Sequence, residues 1–274
     1  MGIDYNKLKK YPAWHACKEV LKILHTEGFV ALLAGGCVRD LLLKRAPSDF
    51  DIATDARPEE VEALFAQTVD LGKEFGTMIV VMNGVKVEVT TFRREMGYSD
   101  GRRPDQVEFC DVREDAARRD FTINAMFFDT QKHEVLDYFG GQKDLSERII
   151  RSVRNPEERF TEDKLRLLRA IRFAAQLGFR IEKDTFNAIK KFAKTLNVVS
   201  VERIQEEMKK LFASPFRFYG LELLRETKLG GQIFPESSLL NDQWGKYEEA
   251  ISLFLPQDFR SQLTLFSYFE AVYG

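Results

Sequence analysis

With 274 residues, 44% of them hydrophobic, the chain holds enough apolar side chain for one large domain or two to three smaller ones. No stretch approaches the roughly 18–20 uncharged apolar residues of a membrane span, and the charged start MGIDYNKLKK leads into no signal-peptide run, so a soluble, cytoplasmic protein is expected. The net charge of −2 hides an asymmetry: Arg148 to Lys194 carry 13 Lys and Arg against six Asp and Glu, a net +7 that leaves −9 for the remainder.

Taken in chain order, the first part alternates helical and strand signals. Residues 12–26 have helical apolar spacing, FVALLAG from Phe29 reads as a strand, and the Gly35-Gly36 pair passes into a helix over 37–44. A helix over 58–67 follows, then strands TMIVVM from Thr77 and VKVEVTTF from Val85, joined by the hairpin dipeptide Asn83-Gly84. One more helix is expected over 112–120. The chain changes character near residue 145, and beyond 155 DKLRLLRAIRFAAQL, KDTFNAIKKFAKTL, VERIQEEMKKLF and RFYGLELLRET all have helical spacing, punctuated by Pro156, Pro215, Pro235, Pro256 and Gly230-Gly231. The predicted class is α+β: a head of mixed sheet and helices over 1–144, an all-helical neck over 145–200 and a partial helical body over 201–274. Cys17, Cys37 and Cys110 are odd in number and lack C-x-x-C spacing, which argues against a disulfide framework or a zinc cage and for buried, inert thiols.

Four groups of residues carry chemistry. In AGGCVRDLLL a strand meets Gly35 and Gly36 before a helix, so anionic oxygens can approach the backbone, with Arg39 as a charged fork for phosphate; a tight turn needs the same glycines. In SDFDIAT a period of two puts Asp49 and Asp51 on one face while Phe50 and Ile52 point to the core, and paired carboxylates beside a phosphate cradle suit Mg²⁺. Glu88, the one acid among Val85, Val87 and Val89, would approach that pair from an adjacent strand and complete a two-metal arrangement for in-line displacement. In AARRDFTINAMFFD, Arg118 and Arg119 supply donors for a triphosphate, and Asp120 with Asn124, one helical turn on, supply acceptors and donors for ribose; one arginine would equally serve as an ion-pair partner of Asp115 or Asp120.

The fourth group opens the basic segment. Asp163, Arg166, Arg169 and Arg172 step by three along an expected helix, so they wind through about half a circle, with Asp163 and Arg166 as neighbours and Arg172 nearly opposite Asp163. Leu165, Leu168 and Ile171 between them bury this helix, and arginines on a buried helix need anionic or hydrogen-bonded partners.

In sequence order, GGCVRD, DFDIAT, GKEFGTMIVV, VEVTTFR, DGRRPDQVEF, RRDFTINAM, DYFGGQKDL and EDKLRLLRAIRFAAQLGF, and more weakly VERIQEEMKKLF, resemble the class II tRNA nucleotidyltransferase and bacterial poly(A) polymerase family of the polymerase-β superfamily, over residues 28–235. The resemblance implies a seahorse-like head, neck, body and tail. It implies triphosphate and metal binding at Gly35, Gly36, Arg39, Asp49 and Asp51, ribose and phosphate contacts at Arg118 or Arg119, Asp120 and Asn124, and a protein template for the base at Glu162, Asp163 and Arg166, followed by Arg169 and Arg172. Poly(A) polymerases tend to have an Arg/Lys-rich form of GKEFGTMIVV, so its absence favours the tRNA enzyme. Family members are commonly longer, so SYFEAVYG is expected to fall inside the body, with little or no tail.

The expected function is therefore template-independent addition of C, A or both from CTP and ATP to tRNA 3′ ends, with Mg²⁺. A poly(A) polymerase is the rival of the same class, and a non-catalytic RNA-binding module of the same fold the rival of another. Cytosine and adenine both present an amino donor beside an unprotonated ring nitrogen, whereas uracil and guanine present a carbonyl beside a ring N–H. Asp163 only accepts and Arg166 only donates, so the pair would accept C and A and reject U and G.

Overall fold

The computed structural model describes residues 2–97 and 106–233. Pro235, Pro256, the body beyond 233 and the DGRRPD part of the DGRRPDQVEF motif lie outside the described residues. The described chain divides into two compact units: one takes residues 2–97, 106–147 and 152–154, the other 148–151 and 155–233.

The first unit opens with helices α1 (Tyr5–Leu8) and α2 (Pro12–Thr26). Proline at the first position of α2 needs no N–H partner there, and Trp14, Cys17, Val20, Leu21 and Leu24 make a buried stripe at helical spacing. Next come β1 (Ala31–Ala34), α3 (Gly36–Leu42), β2 (Ile52–Thr54), α4 (Pro58–Leu64) and the strands β3 (Thr68–Gly72), β4 (Thr77–Met82) and β5 (Val85–Thr91). A ribbon of β6 (Arg93–Met96) and β7 (Gln106–Phe109), helix α5 (Val112–Arg118), β8 (Met126–Asp129), β9 (Glu134–Asp137) and α6 (Gly141–Glu147) complete the unit.

Seven strands form one sheet in the order β3-β4-β5-β2-β1-β8-β9. All neighbours are antiparallel except β2 and β5, which run parallel with Ile52 opposite Val89. The β4–β5 hairpin turns at Asn83 (φ 53°) and Gly84 (φ 78°), both left-handed, as a two-residue turn between right-twisting strands requires. Helix α2 packs on β4 and β5, whose Met78, Val80, Val87 and Val89 are buried. Leu32, Ala34, Ala53, Phe92, Ala116, Ala125, Phe127 and Val153 form one core cluster that joins the sheet centre to α5.

The three strands visible as β-branched runs sit in this sheet, as does β2 of the SDFDIAT motif, but β3, β8 and β9 escape that pattern. TVDLG is an exposed edge strand containing Asp70 and Gly72, while MFFD is buried at every position and so shows no alternation. The expected helices over 37–44, 58–67 and 112–120 are shorter, at 36–42, 58–64 and 112–118.

The second unit is helical: α7 (Pro156–Glu162), α8 (Leu165–Leu177), α9 (Lys183–Phe192), α10 (Val201–Phe212), α11 (Arg217–Glu226) and the single turn α12 (Gly230–Ile233). To these it adds a short parallel ladder of β10 (Ile149–Ile150) and β11 (Arg180–Ile181). Helix α8 is buried on most sides, packed against α10 and α11, and ends at Gly178 (φ 71°), where a Cβ would lie 2.7 Å from the Phe216 ring.

One expectation fails. Asp163 is not part of the helix that carries Arg166, Arg169 and Arg172: it caps the end of α7 in extended backbone (φ −133°, ψ 108°). Its Oδ1 accepts from the Leu165 N–H at 3.0 Å, the local side-chain bond by which aspartate competes with helix continuation and starts a new helix instead. The half-circle drawn for the four residues on one helix therefore does not apply to Asp163.

Candidate functional site

Within the first unit, strand β1 runs into Gly35, whose φ of 70° is the left-handed region open to glycine, and α3 starts at Gly36. A Cβ on Gly35 would lie 2.9 Å from Arg119 Nη1, so a guanidinium is already packed against the bare turn. Beside it, Asp49 is exposed, Phe50 and Ile52 are buried and Asp51 is half-buried, the alternation the motif requires. Because β2 and β5 run parallel with Ile52 opposite Val89, Glu88 comes level with Asp51.

The carboxylates feel one another. Burial and then the charges of Asp49 and Glu88 push the Asp51 carboxyl up to about 7, against the pull of Arg119. Burial and Asp49 likewise raise Glu88, opposed by Arg93 and Arg119. Burial together with mutual repulsion marks a place where a cation would be favourable, and an all-oxygen donor set suits a hard divalent ion. Among the described residues no three His, Cys, Asp or Glu side chains are grouped to hold a metal, so an ion held by Asp49 and Asp51 would take its remaining positions from water or a ligand's oxygens.

Two hydrogen-bonded chains hold the polar residues around the turn. In the first, Arg39 donates from Nε and Nη2 to Asp40 at 2.9 and 3.0 Å and from Nη1 to Asn124 Oδ1 at 2.8 Å, and Asn124 Nδ2 donates to Asp120 Oδ1 at 3.1 Å. Arg39 is buried beside Gly36, with each of these nitrogens engaged inside the protein. Burial, ahead of the opposing pull of Arg39, raises the Asp40 carboxyl.

In the second chain, Arg118 and Arg119 both bind Asp115, and Arg118 Nη1 also donates to Glu95 Oε1 at 2.9 Å. Burial alone would raise the Asp115 carboxyl, but the two guanidinium groups overcome it and hold it below the usual range. The expectation that one arginine pairs with Asp115 or Asp120 understates the arrangement, since both pair with Asp115. The spacing was legible: Asp115 stands three and four residues before them on α5. Asn124 is not one α-helical turn beyond the pair, because α5 ends at Arg118 and Thr122–Asn124 form a 3₁₀ turn.

The second unit carries the remaining expected residues. Glu162 accepts from Arg159 and, at 2.7 Å, from Arg166, whose Nη1 also donates to the Arg159 carbonyl. Asp163 Oδ2 accepts from Arg203 Nη2 on α10 at 2.9 Å. Arg172 donates from Nε to Glu207 Oε2 at 2.8 Å and lies over the Phe173 ring, and Arg169 is 3.7 Å from the other Glu207 oxygen. Arg203 and Glu207 were missed because their partners lie about 35–40 residues away, and no local spacing signals such a pair. Cys17 and Cys37 are buried as expected, Cys110 is only partly so, and all three are free. No helix among the described residues is long and apolar enough to cross a membrane.

Residues 31–151 match the family described as poly A polymerase head domain, and residues 178–240 match the one described as probable RNA and SrmB-binding site of polymerase A. A CCA-adding enzyme of Bacillus subtilis is 50% identical over 211 residues, 77% of this chain and 53% of the relative, and one of Geobacillus kaustophilus is 46% identical over 219 residues, 80% and 54%. The fold is similar to that of the Bacillus stearothermophilus CCA-adding enzyme in complex with CTP (TM-score 0.74, 43% identity, 80% of this chain and 53% of that one). It is also similar to the Thermotoga maritima CCA-adding enzyme complexed with tRNA-CCA (TM-score 0.71, 26% identity, 86% and 57%). The chain spans about half the length of the curated relatives it matches.

Proposed function

Because the chain belongs to the family of CCA-adding enzymes and bacterial poly(A) polymerases, whose head and RNA-binding segments it carries in order, we propose that it is an RNA nucleotidyltransferase that adds C, A or both from CTP and ATP to tRNA 3′ ends. The observation that carries this reading is that Asp49, Asp51 and Glu88 lie close enough to act on one another's charge, with Arg119 opposing them from its place against the bare Gly35 turn. Within this reading residues 1–144 are the catalytic head, 145–200 the base-reading neck and 201–274 the body, and the protein works in the cytoplasm.

Asp49 and Asp51 would hold Mg²⁺, which when bound lowers the cost of ionising a 3′-hydroxyl and of charge on a departing pyrophosphate, in the two-metal manner. Glu88 acts here through its charge on Asp51, strengthening the demand for a cation. The Gly35 turn and Arg119 receive triphosphate oxygens, because the missing Cβ opens the backbone and the guanidinium fork matches phosphate geometry. Arg39 keeps Asn124 in place, and Asn124 with Asp120 presents ribose-binding groups. In the helical unit, Asp163 and Arg166 read the amino group and ring nitrogen of the incoming base, with Glu162 as the carboxylate that orients Arg166.

The deciding experiment incubates the protein with tRNA lacking its 3′ end, Mg²⁺ and each labelled triphosphate in turn. Incorporation of C, A or both is expected, and a long A-only tail would favour poly(A) synthesis instead. Asp49→Ala and Asp51→Ala should each cost at least about 10²–10³-fold in rate with the fold intact, since they remove charge stabilisation of the transition state. No incorporation by the unmodified protein would leave the non-catalytic RNA-binding module as the better account.

A further inference from the structure

Asp115 is completely buried, and neighbouring arginines take both its oxygens. Arg118 Nε donates to Oδ1 at 2.8 Å, and Arg119 donates to Oδ2 from Nη2 at 3.0 Å and from Nε at 3.2 Å. The peptide N–H of Arg93 adds a longer bond to Oδ1 at 3.3 Å. From this shared anchor the two guanidinium groups diverge. Arg118 turns to Glu95 on β6, whereas Arg119 stacks 4.7 Å from the Phe127 ring centroid and rests its Nη1 against the Gly35 turn.

We propose that Asp115 is a positioning residue that aims Arg119 at the Gly35 turn as a prebuilt half of the triphosphate site, and that Arg118 has the structural share of the pair. This rests on the nucleotidyltransferase reading and assigns within it which of the two arginines meets the nucleotide. Two consecutive residues at a helix end differ in direction by about 100°, so no single face presents both. A carboxylate three and four residues earlier can bind both only by dividing them, one oxygen each. An arginine side chain free to rotate would lose that freedom on binding phosphate. One held through two N–H donors on a single carboxylate oxygen and by a ring on its face has already lost it, so more of the interaction appears as affinity. Nε and Nη2 of Arg119 bind Asp115, while Nη1 lies at the glycine turn and donates to the Asn124 carbonyl at 3.5 Å.

The test is isothermal titration of the full chain with CTP and Mg²⁺, without RNA, in the unmodified protein and in Asp115→Asn, Arg119→Ala, the double variant and Glu95→Gln. Asp115→Asn is expected to weaken CTP binding by about 10–100-fold, by analogy with the loss of an outer-shell carboxylate that orients a metal-binding side chain. Because Asp115 acts through Arg119, the double variant should bind no more weakly than Arg119→Ala alone, a non-additivity that a general loss of stability would not produce. Glu95→Gln, which weakens the bonds from Arg118 and Arg93 to Glu95, should leave CTP affinity unchanged. Unchanged affinity in Asp115→Asn, additive losses in the double variant, or a loss in Glu95→Gln equal to that in Asp115→Asn would each overturn the assignment. If circular dichroism shows that Asp115→Asn does not fold, Asp115→Glu decides by the same criteria, since it keeps the charge and shifts the carboxylate by one methylene. Failure of the unmodified protein to bind any triphosphate would instead sink the nucleotidyltransferase reading, and the assignment with it.

Discussion

At the scale of single residues, each proposed base-reading side chain has a partner of opposite charge behind it. Arg203 binds one oxygen of Asp163 and the Leu165 N–H the other, yet an ionised carboxylate has about four acceptor positions, so capacity for a base amino group is left. Glu162 and the Arg159 carbonyl take Arg166 Nη1, which fixes the plane of the guanidinium. With uracil or guanine, acceptor would face acceptor and donor face donor, at about 1–3 kcal/mol for each contact. Asp163→Ala and Arg166→Ala are therefore expected to lower the incorporation ratio of CTP and ATP over UTP and GTP by about 5–150-fold each, the equivalent of those energies. Steady-state incorporation of the four triphosphates measures it, and unchanged ratios at a reduced rate would mean that the two residues only hold the α7–α8 junction together.

The elements of the helical unit depend on caps and close approaches that can be tested one at a time. Glu182 precedes α9 and accepts the N–H groups of Asp184 and Thr185 at 3.0 and 2.9 Å. Burial would raise its carboxyl, but these bonds, the Thr185 hydroxyl and Arg151 outweigh it, and the group is held below the usual glutamate range. A depressed folded value means stability that is fully present above the ordinary glutamate pKa and lost as pH falls through the folded one. Glu182→Ala should cost about 0.5–2 kcal/mol at neutral pH, with the gap to the unmodified protein closing below about pH 4 in urea titrations. On α11, a Cβ at Gly220 would lie 2.7 Å from Ala175 Cβ on α8 and 3.3 Å from Leu211 Cγ on α10. Gly220→Ala, which would raise intrinsic helix propensity, should instead destabilise by about 1–3 kcal/mol through overpacking, seen as a lower Tm. A Tm unchanged or raised would show that α11 can move away at no cost.

For the molecule as a whole, charge is distributed less simply than the +7 of residues 148–194 suggests. Glu162 binds Arg159 and Arg166, Glu182 lies 3.6 Å from Arg151, Glu157 binds Lys191, and Glu207, from outside the segment, binds Arg172 and lies near Arg169. RNA binding should still weaken with salt, by at least about tenfold between roughly 50 and 200 mM, because displaced counterions accompany each phosphate contact. The slope should fall well short of 13 released ions, since internal carboxylates already neutralise several of the 13 basic groups. A tRNA affinity flat across that range, measured by filter binding, would argue against a basic docking surface.

What the sequence determined by itself was everything that local period and local chemistry encode. Alternation at Phe50 and Ile52 put Asp49 and Asp51 on the opposite face, Asn83-Gly84 placed the hairpin, and 3.6-residue spacing marked α8 to α11, because side-chain direction repeats along each backbone type whatever surrounds it. The strands β3, β8 and β9 were invisible on that basis, since an edge strand or a doubly buried one has no clean alternation. That Glu88 approaches this pair from an adjacent strand was expected as well, but only the tertiary structure supplied the parallel pairing that sets it level with Asp51, which nothing within VKVEVTT specifies. Only it divided Arg118 from Arg119 across Asp115, and broke the expected helix at Asp163 in favour of a bond to Leu165 and an ion pair with Arg203. The physical reason is common to these cases: a buried charge settles where its partner is, and the partner's position depends on how distant segments pack.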